Sequence, residues 1–354
     1  MKRKEEHVEI ALSQDVQNEH NYWNDIAYVH NALPEIDMES IDTSVELFGK
    51  KLSFPFMIAA MTGGYENARE INGNLAKAAE KLGIGFGIGS ERAIFSKDNI
   101  RSYSVVKKYK VPLKVANIGA PQLIEQKGAQ GLSTEDIKRV VSTIDANLLA
   151  IHLNFLQEVV QPGGETRAKG IVDAIAKVSS EIEVPVIVKE TGGGISRPAA
   201  EKLKRAGISC IDVGGAGGTS FSAIEYYRAK AVGSDLLQHL GRSFWNWGIP
   251  TPISLLMLKD MGFELIATGG IRSGVDIAKA VTLGARVASA AHPLLRQATK
   301  SSADVVLQLE TYREELKSTM FLLGLESIDD LRNEKVLFFG KLREWRDELG
   351  IHNL

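Results

Sequence analysis

The sequence is poor in the residues that build disulfide-bonded or membrane proteins. Among its 354 residues Cys210 is the only cysteine, so no intrachain disulfide can form, which fits a reducing cytoplasm. No apolar run approaches the ~20 residues of a membrane span. The basic start MKRKEEHVEI is not followed by the apolar segment of a signal peptide. These absences predict a cytoplasmic protein with no membrane partner.

The chain also lacks a dominant charge. Its 42 lysines and arginines nearly balance 44 acidic residues, which leaves a formal net charge of −2. Because no overall field attracts nucleic acid, we expect no nucleic-acid partner. A phosphate-bearing ligand would have to be held by local groups.

What the sequence does contain is an alternation of short apolar stretches with amphipathic helical stretches. The apolar stretches are nearly continuous, as is typical of parallel strands that are covered on both faces. Several helical stretches begin at Ser or Thr and end at Gly, and SGVD at 273–276 has the spacing of a capping box. Eight strand–helix units predict a (β/α)8 TIM barrel of the α/β class. The predicted strands are 54–64, 84–90, 112–120, 148–154, 185–194, 209–218, 264–271 and 286–293.

The remaining segments fit a single domain spanning residues 1–354. We expect an N-terminal arm over 1–50, the barrel over 51–300 and a C-terminal helical extension over 301–354. Residues 219–250 are a long excursion between strands. An excursion of this length is unusual unless it serves as a lid or binding loop.

Polar residues collect where the predicted strands end. The fourth strand, LLAIHLN, is followed by FLQEVVQPGG, which places a histidine, amides and an acid beside a buried strand. The other strands end in MTGG, SER, an asparagine, KET, GGAGGTS, TGGIRSG and ASAAHP. Catalytic residues of such barrels lie at this rim, so the clustering predicts an enzyme.

Two features of the rim indicate specific ligands. Glycine-rich turns after the sixth and seventh strands are typical of a phosphate site, because a glycine lets backbone N–H groups approach the anion. Lys189 ends an apolar strand and would be poorly solvated there. It could pair with Glu190, form a Schiff base or lie beside an electron-rich cofactor ring, and spacing alone does not choose among these.

The motifs taken together resemble the FMN-dependent, type 2 isopentenyl-diphosphate delta-isomerases. The matching segments run in order along nearly the whole chain: RKEEHVEIA (3–11), AAMTGG (59–64), GSERA (89–93), NIGAPQ (117–122), HLNFLQEVVQP (152–162), VKETGGGIS (188–196), GGAGGTS (214–220), WGIPT (247–251) and TGGIRSG (268–274). The chain departs from the family at Glu91, where Gln is common, and at Gly163-Gly164, where Glu-Gly is common. The resemblance implies isoprene biosynthesis, by interconversion of isopentenyl and dimethylallyl diphosphate.

The resemblance also implies cofactors and the residues that hold them. FMN would be bound in reduced form as an acid–base partner, with NADPH as its reductant, and Mg2+ would bridge the substrate diphosphate to Glu158. A single acid beside neutral amides fits Mg2+, which takes few carboxylates. FMN would contact Ala60, Met61, Thr62, Ser90, Asn117, Lys189, Thr219, Gly269, Gly270, Arg272, Ala290 and Ala291.

Substrate and catalytic residues follow from the same resemblance. The diphosphate would be clamped by Arg3, Lys4, His7, Ser90 and Arg92. The pocket around the double bond would contain His152, Asn154 and Gln157, which with Lys189 form the predicted catalytic set. The family also implies a homo-oligomer, a tetramer or an octamer, acting on a small-molecule substrate.

Two other classes of function compete with the isomerase. One is an FMN oxidoreductase on the same barrel, either a 2-hydroxy-acid oxidase or an enzyme like inosine-monophosphate dehydrogenase. The latter needs a catalytic loop cysteine, whereas Cys210 lies inside the predicted sixth strand. The other is a non-enzymatic flavin or phosphate sensor, which the acid predicted in the cleft disfavours.

Overall fold

The computed structural model of the chain describes residues 2–95 and 100–351, apart from the side chain of Lys2. Eight parallel strands close into a barrel in chain order, and the eighth pairs back onto the first. The predicted TIM barrel is thereby confirmed. The barrel strands, first to eighth, are Phe56–Ile58, Gly85–Gly87, Leu113–Gly119, Leu148–Leu153, Val186–Glu190, Cys210–Asp212, Glu264–Thr268 and Val287–Ala290.

Several barrel strands are shorter than predicted, because their glycine-rich ends leave the ladder. The sixth strand stops at Asp212, and GGAGG continues as a turn in which Gly214 has a φ of 47°. A β-carbon on Gly214 would lie 2.0 Å from the carbonyl oxygen of Glu190, so only glycine fits there. The rim loops therefore begin earlier than the apolar pattern indicates.

Alternating residues of the barrel strands fill two separate cores. Inside the barrel Met57, Leu113, Val115, Leu148, Ala150, Ile187, Cys210, Ile266 and Val287 are buried together. The hairpin of strands Val45–Leu47 and Lys50–Leu52 adds its apolar side chains to this inner core. The opposite faces of the strands pack against the helices in a larger outer core.

Helices surround the barrel, and serine side chains cap many of their N-termini. In the predicted SGVD box Ser273 Oγ accepts a hydrogen bond from Asp276 N at 3.1 Å. In a full capping box the Asp276 side chain would accept from the backbone N–H of Ser273. Here it accepts from the backbone N–H of Arg272 instead, at 2.9 Å. The α-helices are Lys2–Ser13, Ala68–Leu82, Arg101–Ser104, Thr134–Ile144, Phe155–Val160, Ile171–Glu181, Arg197–Arg205, Phe221–Ala231, Asp235–Ser243, Thr251–Leu258, Gly274–Thr282, His292–Ala298, Ser302–Phe321, Ile328–Arg332 and Gly340–Glu348.

The two terminal segments meet. Strand Ile26–Tyr28 of the N-terminal arm pairs antiparallel with strand Val336–Phe338 of the C-terminal extension. The excursion at 219–250 is mostly helical, because it contains Phe221–Ala231 and Asp235–Ser243. Position 1 of the predicted arm and positions 352–354 of the predicted extension lie outside the described residues. None of the helices described has the length and apolar character to cross a bilayer.

Candidate active site

A cleft of about 280 Å3 opens at the C-terminal rim of the barrel. The N-terminal arm forms one wall of it, and the glycine-rich turns after the sixth and seventh strands form another. The structure brings every predicted site residue to this cleft: Arg3, Lys4, His7, Ala60, Met61, Thr62, Ser90, Arg92, Asn117, His152, Asn154, Gln157, Glu158, Lys189, Thr219, Gly269, Gly270, Arg272, Ala290 and Ala291. Their individual roles stay predictions.

Helix Lys2–Ser13 carries three basic side chains to the cleft. The ammonium of Lys4 donates to the phenol oxygen of Tyr103 at 2.8 Å and to the carbonyl oxygen of Ser90. Desolvation, together with the charges of Arg3 and Arg92, lowers the pKa of Lys4 to about 7. No carboxylate of the described residues lies within 4.0 Å of this ammonium. A bound anion would restore the charge of Lys4.

Arg92 and Arg3 flank Lys4 differently. Arg92 forms an ion pair with Glu165 at 2.6 Å. Arg3 lies 3.5 Å from the amide oxygen of Gln161, a neutral acceptor. Glu91, the position where the chain departs from the resembled family, is fully buried beneath this group. Burial raises the pKa of Glu91 well above its usual range, while the backbone N–H of Asn117 and the charge of Lys4 act against that rise.

A buried carboxylate connects the N-terminal helix to the cleft floor. Oε1 of Glu225, on helix Phe221–Ala231, lies 2.8 Å from Nε2 of His7 and accepts from Gln157 Nε2 at 3.3 Å. Its Oε2 accepts from Arg228 at 2.6 Å, and Arg228 also contacts Glu6 at 3.1 Å. Burial alone would raise the pKa of Glu225, but bonds and charges from His7 and Arg228 hold it below its usual value. The acid is therefore ionised and orients two predicted site residues.

Glu158 lies in a cradle of neutral donors. Its carboxylate accepts from Asn154 Nδ2 at 2.8 Å, from the backbone N–H of Glu165 at 2.7 Å and from the side-chain amide of Gln161. Asn154 Oδ1 is buried and has no hydrogen-bond partner among the described residues. A carboxylate beside an unsatisfied amide oxygen supplies the hard oxygen ligands that Mg2+ prefers.

The donor set fits a magnesium ion only when the substrate contributes ligands. Within residues 2–95 and 100–351 no three His, Cys, Asp or Glu side chains are grouped so that they could hold a metal. One protein carboxylate leaves most of the octahedral positions to phosphate oxygens and water. The site is therefore compatible with Mg2+ that arrives with a diphosphate.

His152 is held as a neutral hydrogen-bonding group. Its Nδ1 lies 2.8 Å from Asn117 Oδ1, and Asn117 Nδ2 donates to the carbonyl of Ile88 at 3.0 Å. This orientation of the amide makes Nδ1 of His152 the donor and leaves Nε2 as an acceptor. Desolvation, helped by the charges of Lys189 and Lys4, lowers the pKa of His152 to about 3. His152 consequently cannot act as a cationic acid near neutrality.

Lys189 and Glu190 turn away from each other. The ammonium of Lys189 donates to the carbonyl oxygen of Glu190 at 3.3 Å. The carboxylate of Glu190 instead accepts from the backbone N–H groups of Thr191 at 2.6 Å and Gly192 at 2.7 Å, and from that of Gly193. Burial raises the pKa of Glu190 to about 7 against these donors. The considered ion pair between the two side chains is therefore not formed, and the Lys189 ammonium remains available to the cleft.

Two features of the cleft wall fit a flavin nucleotide. Thr62 Oγ1 is buried beside the cleft, where the Tyr65 phenol is its neighbour, and it could also bond a ligand in the cleft. Elsewhere on the wall the guanidinium of Arg272 donates to Gln17 at 3.0 Å, and Thr219, Gly269 and Gly270 line the same cleft. Neutral backbone donors with one cation suit the phosphate end of FMN.

Sequence reasoning missed several residues of this site. Glu225 belongs to the long helix-rich excursion, and Gln17 belongs to the arm. Neither residue follows a predicted strand, so the rim pattern did not indicate them. Asp212 ends the sixth strand and accepts from Thr268 at 2.9 Å inside the barrel. An acid inside the otherwise apolar predicted strand 209–218 was a usable signal for Asp212, whereas nothing local marked Glu225.

Comparison with known proteins agrees with the fold and the cleft. The family model for FMN-dependent dehydrogenase matches residues 10–102 and 164–337. The flavocytochrome b2 structure shares the fold, with a TM-score of 0.66 and 17% identity over 94% of this chain and 82% of that one.

Curated relatives are closer in sequence. The isopentenyl-diphosphate delta-isomerase of Picrophilus torridus is 45% identical, covering 97% of both chains. That of Archaeoglobus fulgidus is 44% identical, covering 99% of both. Because the alignments cover nearly the full length, they include the N-terminal arm as well as the barrel. The chain therefore belongs to the isopentenyl-diphosphate delta-isomerase family, built on the barrel of the FMN-dependent dehydrogenases.

Proposed function

We propose that this chain interconverts isopentenyl diphosphate and dimethylallyl diphosphate, with reduced FMN and Mg2+ bound in the cleft. One observation carries the proposal: Lys4 and Arg3 lie over a barrel-rim cleft with neutral oxygens as their partners. Cations without a carboxylate partner favour an anionic substrate at this end. The relatives named above supply the identity of that substrate.

The diphosphate end of the substrate is recognised by the arm and by Glu158. Arg3, Lys4 and His7 reach the cleft from one helix, so one segment presents the three basic groups together. Glu158 would hold Mg2+ against the phosphate oxygens, which removes part of the repulsion between substrate and carboxylate. Arg92 can contribute once its ion pair with Glu165 opens.

The hydrocarbon end lies among neutral groups. His152, Asn154 and Gln157 present amides and an uncharged imidazole, which orient the alkene but cannot protonate it strongly. Reduced FMN, when bound, supplies the proton donor and acceptor for the 1,3-shift. The Lys189 ammonium would stabilise negative charge on the cofactor ring, since within the described residues the hydrogen bond it donates goes to a neutral carbonyl.

Further properties belong to the same proposal. NADPH would reduce the bound FMN, and the chain would act as one cytoplasmic domain in a homo-oligomer, a tetramer or an octamer. Exposed apolar side chains near the joined termini support an oligomer contact: Val29, Leu33, Leu322, Leu337 and Phe339.

The FMN oxidoreductase is the competing function, since the matching family model describes dehydrogenases. An anaerobic assay separates the two. Enzyme reduced once by NADPH or dithionite should form many equivalents of dimethylallyl diphosphate, because substrate and product are isomers. Product in fixed proportion to reductant consumed would overturn the isomerase, and full activity of oxidised enzyme in air would overturn the role of reduced FMN.

A further inference from the structure

A second, much smaller cavity lies inside the barrel beneath the cleft. Its volume is about 20 Å3, and it shares Ala59, Ala60, Asn117, Lys189 and Ser289 with the cleft wall. A polar cavity above about 10–15 Å3 is large enough for one water molecule. Most of its lining is apolar, so its few polar groups decide what it can hold.

Two of those polar groups carry opposite charge and do not touch. Lys189 and Asp212 are register partners on the fifth and sixth strands. The charge of Lys189 counteracts the rise that burial causes in the pKa of Asp212, so the two groups are close enough to interact. No ion pair within 4.0 Å nevertheless joins them in the described part of the chain. A water molecule can bridge buried polar groups that are separated by more than about 3.5 Å.

Ser289 provides the third polar group. Its hydroxyl, on the eighth strand, is buried and has no hydrogen-bond partner among the residues that the structure describes. A buried hydroxyl left unsatisfied costs roughly 1–3 kcal/mol. The side chain borders the same small cavity as Lys189 and Asp212.

We propose that this cavity is a binding site for one structural water that bridges Lys189, Asp212 and Ser289. The ammonium donates to the water, the water donates to the carboxylate, and the serine hydroxyl completes about three hydrogen bonds, the usual number for a buried water. Lys189 has donors to spare, because in the part of the chain that the structure describes its ammonium donates one hydrogen bond, to the Glu190 carbonyl. Ser289 and Asp212 act as positioning residues that fix the ammonium beneath the cleft.

The water site has a direct structural test. A crystal structure of the full chain with FMN, at a resolution that shows ordered water, should contain one water within hydrogen-bond distance of Ser289 Oγ and Asp212. Density absent at that point, or Lys189 in direct contact with Asp212, would overturn the site.

The positioning role is tested by flavin affinity. This part of the inference rests on the proposed place of FMN beside Lys189. In Ser289→Ala the water loses a partner and the ammonium can relax toward Asp212. The dissociation constant for reduced FMN, relative to oxidised FMN, should then rise on the order of fivefold, as for one lost hydrogen bond.

Ser222→Ala is the matched control, because Ser222 is also a buried hydroxyl without a described partner but borders neither cavity. The control should leave the affinity ratio unchanged. An unchanged ratio in Ser289→Ala, or an equal change in the control, would overturn the positioning role. Neither measurement depends on isomerase turnover, so both test the water site even if the proposed function is wrong.

Discussion

Nε2 of His7 lies 2.8 Å from Oε1 of Glu225, a carboxylate with no exposed surface. The contact ties the N-terminal helix to helix Phe221–Ala231 across 218 positions of sequence. Because the same Oε1 accepts from Gln157, the arm and the cleft floor share one anchor. Docking of the arm and order in the cleft are therefore coupled.

Glu225→Gln should loosen the arm. The amide cannot match a carboxylate that holds His7, Arg228 and Gln157 together, and hydrogen bonds to a charged group are worth about 1.5–3 kcal/mol. Amide hydrogen exchange over helix Lys2–Ser13 should accelerate in the variant. Glu9→Gln, an exposed position on the same helix, is the control. Equal exchange in wild type and Glu225→Gln would show that other contacts hold the helix.

Binding of pyrophosphate should be coupled to protonation of Lys4. The pKa of Lys4 is lowered to about 7 in the free protein, so at pH 8 the side chain is mostly neutral and an anion would recharge it. Calorimetry in buffers of different ionisation enthalpy should show uptake of up to about one proton at pH 8, and much less at pH 6. Affinity should fall as pH rises above about 7.

The same group destabilises the free protein at low pH. A lysine whose folded pKa is depressed binds fewer protons folded than unfolded, so stability rises with pH between about 7 and 10.5. Lys4→Met should remove this contribution and the extra proton uptake, while the titration of pyrophosphate itself remains. Uptake identical in Lys4→Met and wild type would contradict the coupling.

Glu158→Gln should reduce Mg2+ dependence without releasing FMN. The new side-chain NH2 would meet the donors of Asn154, Gln161 and Glu165, which costs about 1–3 kcal/mol of stability in addition to the lost ligand. Titration of Mg2+ with substrate present measures the metal dependence. Flavin absorbance of the purified variant measures whether FMN stays bound. Glu125→Gln, an exposed carboxylate paired with Arg167, is the control. Unchanged metal dependence in Glu158→Gln would contradict the assignment.

Lys189→Ala should lower the midpoint potential of bound FMN. At an effective dielectric constant of about 20, a unit charge lost from beside the ring would be worth on the order of 3 kcal/mol. That corresponds to several tens of millivolts for a two-electron couple. The charge of Lys189 also lowers the pKa of Glu190, so the part of the change that acts through Glu190 has to be measured separately. A potential equal to wild type would show that Lys189 serves the fold.

Glu190→Gln is the matched comparison for that measurement. It lies next to Lys189 and lines the same cleft, but its carboxylate is bound by backbone N–H groups. We expect a smaller shift of the potential in this variant than in Lys189→Ala. A larger shift would reassign the electrostatic role to the acid.

The sequence by itself determined the barrel and the place of its chemistry. Continuous apolar strands must be covered on both faces, and polar ends such as that of LLAIHLN must lie at the rim. Local capping was also readable, since Ser273 and Asp276 are three residues apart and meet whenever a helix begins there. Such features depend on the periodicity of apolar residues and on short sequence spacings, and both can be read within one segment of the chain.

Only the tertiary structure decided which distant groups meet. The neighbouring positions of Lys189 and Glu190 suggested an ion pair. In the fold the two side chains diverge, and the Glu190 carboxylate accepts hydrogen bonds from the backbone N–H groups of 191–193. Glu225 reaches His7, and Asp212 faces Lys189, only because barrel closure and arm docking bring remote segments together. Burial then sets their charge states, and burial belongs to the packed molecule rather than to any stretch of its chain.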